Sequence, residues 1–277
     1  MTSLQRKLVA LSVLVIVALL GLLCAQVWAQ KKAERLVAQL VDSAPREARI
    51  KVGAVRANVL HGSVTLSGVK AAVAESPVSL EAQQIVIRDY EVEEGLPQAL
   101  DLSIRGLSLN LPQAVLAQVG YETPPLLFVD LDFFREKERG FILRRLNLGS
   151  PQVCDIEAQL SLAPFSQGDP PYSLRYASVA YRDHSFFTQM FRAVAGRDYD
   201  PAIGTRELDR IIAGARAEGK GERPLAALAE LRKFAEKPGQ IRFTLHPPEA
   251  VPLQQIKTIS PEVFFDKLGV TIEYLGV

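Results

Sequence analysis

The sequence predicts an α+β fold: an N-terminal transmembrane helix, a curved antiparallel β-sheet with bulges, and C-terminal helices packing on that sheet. Three observations predict it. Residues 8–30 carry no charged side chain. From residue 49 the apolar residues recur every second position, as in a half-buried strand. After residue 182 the repeat lengthens to that of amphipathic helices.

Length and composition permit this plan. The chain has 277 residues, 48% hydrophobic and 23% charged, enough apolar material for one large domain. The formal charge is +1, and without Arg6 and Lys7 the body has 30 basic against 31 acidic residues. A near-neutral body without a basic stripe gives no footing for nucleic acid. Cys24 and Cys154 are far apart in unrelated contexts, which excludes a disulfide framework and a thiolate metal site.

The first 30 residues read as a membrane anchor. The run contains Leu8, Leu14 and Leu20 and, at 1.5 Å per helical residue, can span a hydrocarbon core of roughly 30 Å. Arg6 and Lys7 precede it, and Trp28, Lys31 and Lys32 follow it as an interfacial belt would. The alternative is a signal peptide cleaved before Gln30, since "VWA" meets the small-residue preference loosely. Residues 31–45 continue as a juxtamembrane amphipathic helix, with Ala33, Leu36, Val37, Leu40 and Val41 on one stripe. Length favours the anchor, and either reading puts the bulk of the chain outside the cytoplasm.

Residues 46–182 form the sheet region. "RIKVGAVRANVL", "QQIVIRDY", "LDLSIRGLSLNL", "LLFVDLDFF", "FILRRLNL" and "VCDIEAQLSL" all read as strands. Their alternation indicates antiparallel strands with one buried face. In "GSVTLSGVKAAV", Val64 and Leu66 hold one parity and Val69, Ala71 and Val73 the other, with Gly68 between. "LDLSIRGLSLNL" repeats the slip: Leu102 and Ile104, then Gly106, then Leu107 and Leu109. A glycine at a phase slip suits a β-bulge, because it accepts positive φ; a turn ending one strand and starting another is the competing reading. "YSLRYASVAYR" slips between Tyr176 and Val179 without a glycine.

Residues 183–277 complete the same domain as a mixed region. Asp183 can cap a helix carrying Phe186, Phe187, Met190, Phe191 and Val194, and Thr205 can cap a second with Leu208, Ile211 and Ile212. A third starts near Pro224 and ends before "KPG". "QIRFTLH" is a strand, Ser260-Pro261 opens a short helix closed by Gly269, and "VTIEYL" is the last strand.

No motif carries chemistry. "GARAEGKG" lacks the hydroxyl residue of a P-loop and follows a helix. The adjacent "DHS", residues 183–185, cannot assemble a triad from one helix start. His61, His184 and His246 lack ligand spacing, and Asp130 and Asp132 are two carboxylates on a solvated strand face. These features predict no catalytic residues, no metal and no cofactor.

The anchor followed by "VLHGSVTLSGVKA", "LEAQQIVIRDY" and "PQALDLSIRGLSLNL" resembles the AsmA-like proteins of the Gram-negative envelope, over roughly residues 8–112. That resemblance implies an inner-membrane anchor with the bulk of the chain in the periplasm, a curved sheet with an apolar concave face, and a role in envelope maintenance or phospholipid transfer. The residues expected to line the lipid path are Val64, Leu66, Leu102, Ile104, Leu107, Leu109, Ile156, Leu160 and Leu162, with Gly68 and Gly106 bending the sheet. The competing expectation is that these side chains meet Phe186, Phe187, Leu228 and Phe234 in a closed core. The expected partners are the membrane, phospholipid and other envelope proteins; the alternative function is an anchored scaffold without lipid.

Overall fold

The computed structural model describes residues 3–42, 48–73, 76, 78–93, 96–113, 116, 121, 123–136, 140–164, 172–195 and 198–276. Among the described residues, helix α1 (Ser3–Asp42) is followed by nine strands: β1 (Ala48–Lys51), β2 (Ala54–Asn58), β3 (Ser63–Val73), β4 (Ser79–Glu93), β5 (Leu96–Asn110), β6 (Leu127–Glu136), β7 (Gly140–Ser150), β8 (Cys154–Pro164) and β9 (Tyr172–Asp183). Then come α2 (Phe186–Ala195), α3 (Pro201–Ala217), α4 (Glu222–Glu236), β10 (Gln240–Leu245), β11 (Val251–Pro252), α5 (Leu253–Ile256), α6 (Pro261–Lys267) and β12 (Val270–Gly276).

All twelve described strands belong to one antiparallel sheet, ordered β1-β3-β4-β5-β6-β7-β8-β9-β10-β12, with β2 also on β3 and β11 on β9. The order is nearly that of the chain, so hairpins build most of it. The α+β class, the large antiparallel sheet and the C-terminal helices are therefore as the sequence predicts. The sheet is not confined to residues 46–182, since β10 and β12 extend it.

Within α1 the side chains are described from Leu22 onward, except Leu40, so those of Leu8, Leu14 and Leu20 lie outside the described residues. Among the described residues no helix is long and apolar enough to cross a membrane. Residues 43–47, which include the end of the expected amphipathic helix, are also outside them.

Both glycine slips lie inside continuous strands, which removes the turn reading. Gly68 and Gly106 have φ of 62° and 61°. The slips are not isolated bulges, however. β3 keeps one register against β4 through Gly68, with Leu66 opposite Ile85 and Val69 opposite Ala82. Through Gly106 β4 likewise keeps one register against β5, with Ile85 opposite Ile104 and Ala82 opposite Leu107; the shifts of this pair lie further on, beyond Ile87. Three neighbouring strands thus change phase together, along a line through Gly68, Gln83 and Gly106. The extra residue appears only against β6, where Ile104 faces Val129 but Leu107 faces Leu127. Because Leu127 and Val129 alternate on one strand, Leu107 and Ile104 share a face despite their opposite parity. Gly53 extends the same line, splitting the expected first strand into β1 and β2 and donating to the Ser67 carbonyl at 3.0 Å.

In β9 the extra residue is Arg175, since Leu174 faces Leu162 and Tyr176 faces Ser161, so the slip precedes the expected position. Helix α3 starts at Pro201 with Asp200 as its cap, the carboxylate accepting from Ala202 N–H at 2.9 Å. Thr205 sits in the first turn and bonds back to the Pro201 carbonyl at 2.9 Å. Asp183 does accept from the Phe187 N–H at 2.8 Å, and Ser260 and Pro261 open α6 as expected.

The core is concentrated at one end. Leu162, Leu174, Val251, Leu268 and Val270 form its buried centre, with Phe141, Leu160, Leu245, Ile256, Phe264 and Phe265 packed around it. A second apolar cluster joins Tyr181 to Phe234, Phe234 to Phe187, and Phe187 to Tyr199, through edge-on ring contacts.

Candidate functional site

Cross-strand pairing places most of the predicted lining residues in continuous transverse rows on one face. The first row runs Val64, Ile87, Leu102, Leu131 and Leu146, through successive opposite pairs of β3 to β7. It continues through Ala158, Val179, Phe243 and Ile272 to β12. Eight inter-strand steps of ~4.8 Å make it about 38 Å long. Every member is apolar, although the row draws one residue from each of nine strands.

The adjacent row begins Leu66, Ile85, Ile104, Val129, Leu148 and Ile156 and ends at Tyr181, Ile241 and Tyr274. Its far end is covered: Ile241 is buried, and Tyr181 lies under Phe234 of α4. On the other side of the first row, Leu160 and Leu162 enter the core with Leu268. Between these two covered zones the first row stays open, with Val179 42% and Phe243 38% exposed.

The predicted set therefore divides. Leu162 is buried and Leu160 packs against the core. Val64, Leu66, Leu102, Ile104, Leu107 and Ile156 are half-buried, and Leu109 is exposed. Leu160 and Leu162 lie in a core, but not with the partners expected: Phe234 meets Tyr181 and Phe187 instead. Val129, Leu131, Leu146, Val179 and Phe243 also belong to the face, beyond the residues expected from sequence. Their strict alternation was visible; their alignment needs the register.

At its β3 end the first row opens into a groove of about 360 Å³ between α1 and the β2–β3 hairpin. Trp28, Ala29, Ala33 and Leu36 line it from the helix, and Ala57, Val59 and Val64 from the hairpin. Two glutamines hold the helix there. Gln26 donates to the Ala57 carbonyl and accepts from the Val59 N–H at 3.0 Å. Gln30 donates to the Val55 carbonyl at 2.6 Å and accepts from the Ala57 N–H at 2.7 Å. Spaced i, i+4, the two amides occupy the outward hydrogen-bonding groups of β2 as a further strand would. At the opposite border Glu230 of α4 accepts from the Tyr274 N–H of β12 at 2.9 Å.

The other face of β4 to β7 is charged. Arg105 pairs with Asp130 at 2.8 Å and Arg88 with Asp101 at 3.2 Å, while Arg144 lies 3.8 Å from Asp132. Burial pushes the Asp130 carboxyl up, but the Ser103 hydroxyl and the Arg105 guanidinium outweigh it and hold it below the ordinary range. Asp130 and Asp132 are thus ion-pair partners. Arg144 and Arg105 also cover the rings of Phe134 and Phe128, at 4.2 and 5.6 Å, which shields the aromatic residues of this face.

A polar cluster surrounds the start of α2. His184 Nε2 lies 2.9 Å from Asp155 Oδ2, the Ser185 hydroxyl donates to the Gln152 carbonyl, and the Tyr181 hydroxyl donates to Asp183. Burial, then the nearby Asp183 and Asp155, raises the Cys154 thiol, so it is a poor nucleophile at neutral pH. Ser185 and Asp183 are spent on backbone and capping contacts, which leaves "DHS" a helix start. Gly214 lies in α3 and Gly219 just beyond it, so "GARAEGKG" is a helix end and loop. Among the described residues no group of three His, Cys, Asp or Glu could hold a metal.

A protein-family model described as "Uncharacterized protein" matches residues 151–274. The match begins just before β8 and covers the C-terminal helices, the buried centre of the core and most of the last strand. No curated protein and no solved structure matches the chain.

Proposed function

We propose that this is a non-enzymatic, inner-membrane-anchored protein of the cell envelope, similar to the AsmA-like proteins, whose curved sheet binds or transfers lipid along its apolar face. The observation that carries the reading is the transverse apolar row from Val64 to Ile272, left open between two covered zones. An open apolar strip of ~38 Å exceeds the ~15 Å depth of one bilayer leaflet, so it has room for whole acyl chains. Its ligand would be held by area burial, at about 25 cal/mol per Å².

The anchor is supported by Gln26. This residue precedes the alternative cleavage position at Ala29, yet it bonds Ala57 and Val59 in the body. A cleaved chain would lose that contact and keep only Gln30 on the edge of β2. The apolar run of residues 8–25 then has its ordinary use as a span, with the sheet on the periplasmic side.

Native mass spectrometry of the full chain, released from detergent, tests the lipid reading. Bound phospholipid, or its uptake by delipidated protein, is expected. A chain that retains none and takes up none overturns it. The mass of the mature chain tests the anchor: loss of residues 1–29 would remove it.

A further inference from the structure

We propose that the tight turn between β2 and β3 is a second membrane contact, in which Val59 and Leu60 enter the bilayer interface beside Trp28. This rests on the anchor reading above. The turn is ordered: Asn58 Oδ1 accepts from the His61 N–H at 3.2 Å, and Gly62, at φ 56°, donates to the Val59 carbonyl at 3.3 Å. It nevertheless presents Leu60 with 72% of its surface exposed. A single exposed leucine is ordinary; a contiguous apolar patch is not.

Here the patch is contiguous. Gln26 clamps α1 alongside β2 in opposite direction, so the turn lies level with the helix segment around residues 22–28. That segment exposes Leu23, Val27 and Trp28, the last at 65%. Immediately beyond it the character changes on both elements: Lys31 and Lys32 on α1 and Arg56 on β2 are exposed. Lys32 Nζ lies 5.1 Å from the Trp28 ring. Apolar groups below an indole and cations above it describe a bilayer boundary, with the ammonium groups at phosphate level. The occupant inferred is the lipid interface, because the patch continues the uncharged run of residues 8–25.

The chain has one tryptophan, which makes the test direct. The full chain is reconstituted into vesicles of phosphatidylethanolamine and phosphatidylglycerol, some carrying bromine at shallow acyl positions. Trp28 fluorescence is expected to be blue-shifted and quenched by the brominated lipid. In a Trp28→Phe, Leu60→Trp chain the indole at the turn is expected to behave alike. If Trp28 is quenched but the indole at position 60 emits as in water, the turn contact is overturned and the anchor stands. If neither is quenched, the anchor reading falls and the turn contact with it. Both positions are exposed, and an unchanged thermal transition of the variant confirms that it folds as the parent does.

Discussion

The two ends of the sheet handle the same pattern of alternating residues in opposite ways. Toward the C-terminal end, Leu162 and Leu174 meet Leu268, which has no exposed surface, and three helices and the aromatic cluster close the face nearby. Across β3 to β6 the same face carries Val64, Leu102 and Leu131, all half-buried, with α1 bordering it at the β3 end. The charged face behind them is laced by cross-strand pairs of arginine with aspartate. Apolar alternation therefore specifies which face is apolar and leaves open what covers it. The stretch that matches a family model, residues 151–274, contains the buried centre of the core.

The contrast is broken most severely at the core. Leu268→Ala should cost about 2–5 kcal/mol, whereas Leu102→Ala, already part-solvated, should cost less than about half as much. Urea unfolding of the two variants followed by circular dichroism checks this. Equal losses would mean that the first row is covered in solution.

Next in size are the glycines of the phase slip. A methyl group at Gly106 would meet the Gln83 side chain at 2.3–2.5 Å, on a residue at φ 61°. At Gly68 the nearest atom stands 3.9 Å away, at φ 62°. Both Ala variants should lose about 1–2 kcal/mol to the left-handed backbone, with Gly106→Ala the worse by its clash. Thermal melts of the pair separate steric from backbone cost. Indistinguishable melts would show that Gln83 simply moves aside.

A smaller effect is expected at the capped edge. Replacing Gln26 and Gln30 together by Ala should cost about 1–2 kcal/mol, and it should speed hydrogen exchange at the Val59 and Ala57 amides specifically. Unchanged exchange there would remove α1 from the role of edge cover.

The smallest effect is at the opposite edge. The Lys233 ammonium and then the Tyr274 N–H hold the Glu230 carboxyl below its ordinary range. A depressed carboxyl stabilises the fold above the unfolded-state pKa, and that contribution is lost as pH falls through the lower folded value. In Glu230→Gln the thermal midpoint should therefore fall less steeply on acidification than in the parent. Identical slopes would show that the latch contributes nothing.

Much of this was legible in the residues. The strands and the C-terminal helices follow from period, and the phase slips at Gly68 and Gly106 mark where the backbone turns left-handed. The sequence offers both Asp200 and Thr205 as caps for one helix, because Thr and Asp cap by the same chemistry; the structure uses Asp200. The β2 edge cover was not legible: two glutamines in a helix say nothing of a strand 25–33 residues away.

Local sequence by itself determined which residues alternate, which face of each strand is apolar, and where the alternation changes phase, because these depend on neighbours one to four positions apart. Only the tertiary structure decided that the slips of β3, β4 and β5 lie on one line, that Val64 and Ile272 share a row, and that Leu162 is sealed while Phe243 is open. Register and cover depend on contacts between distant strands, and a one-dimensional pattern compatible with one buried face is equally compatible with many partners for it.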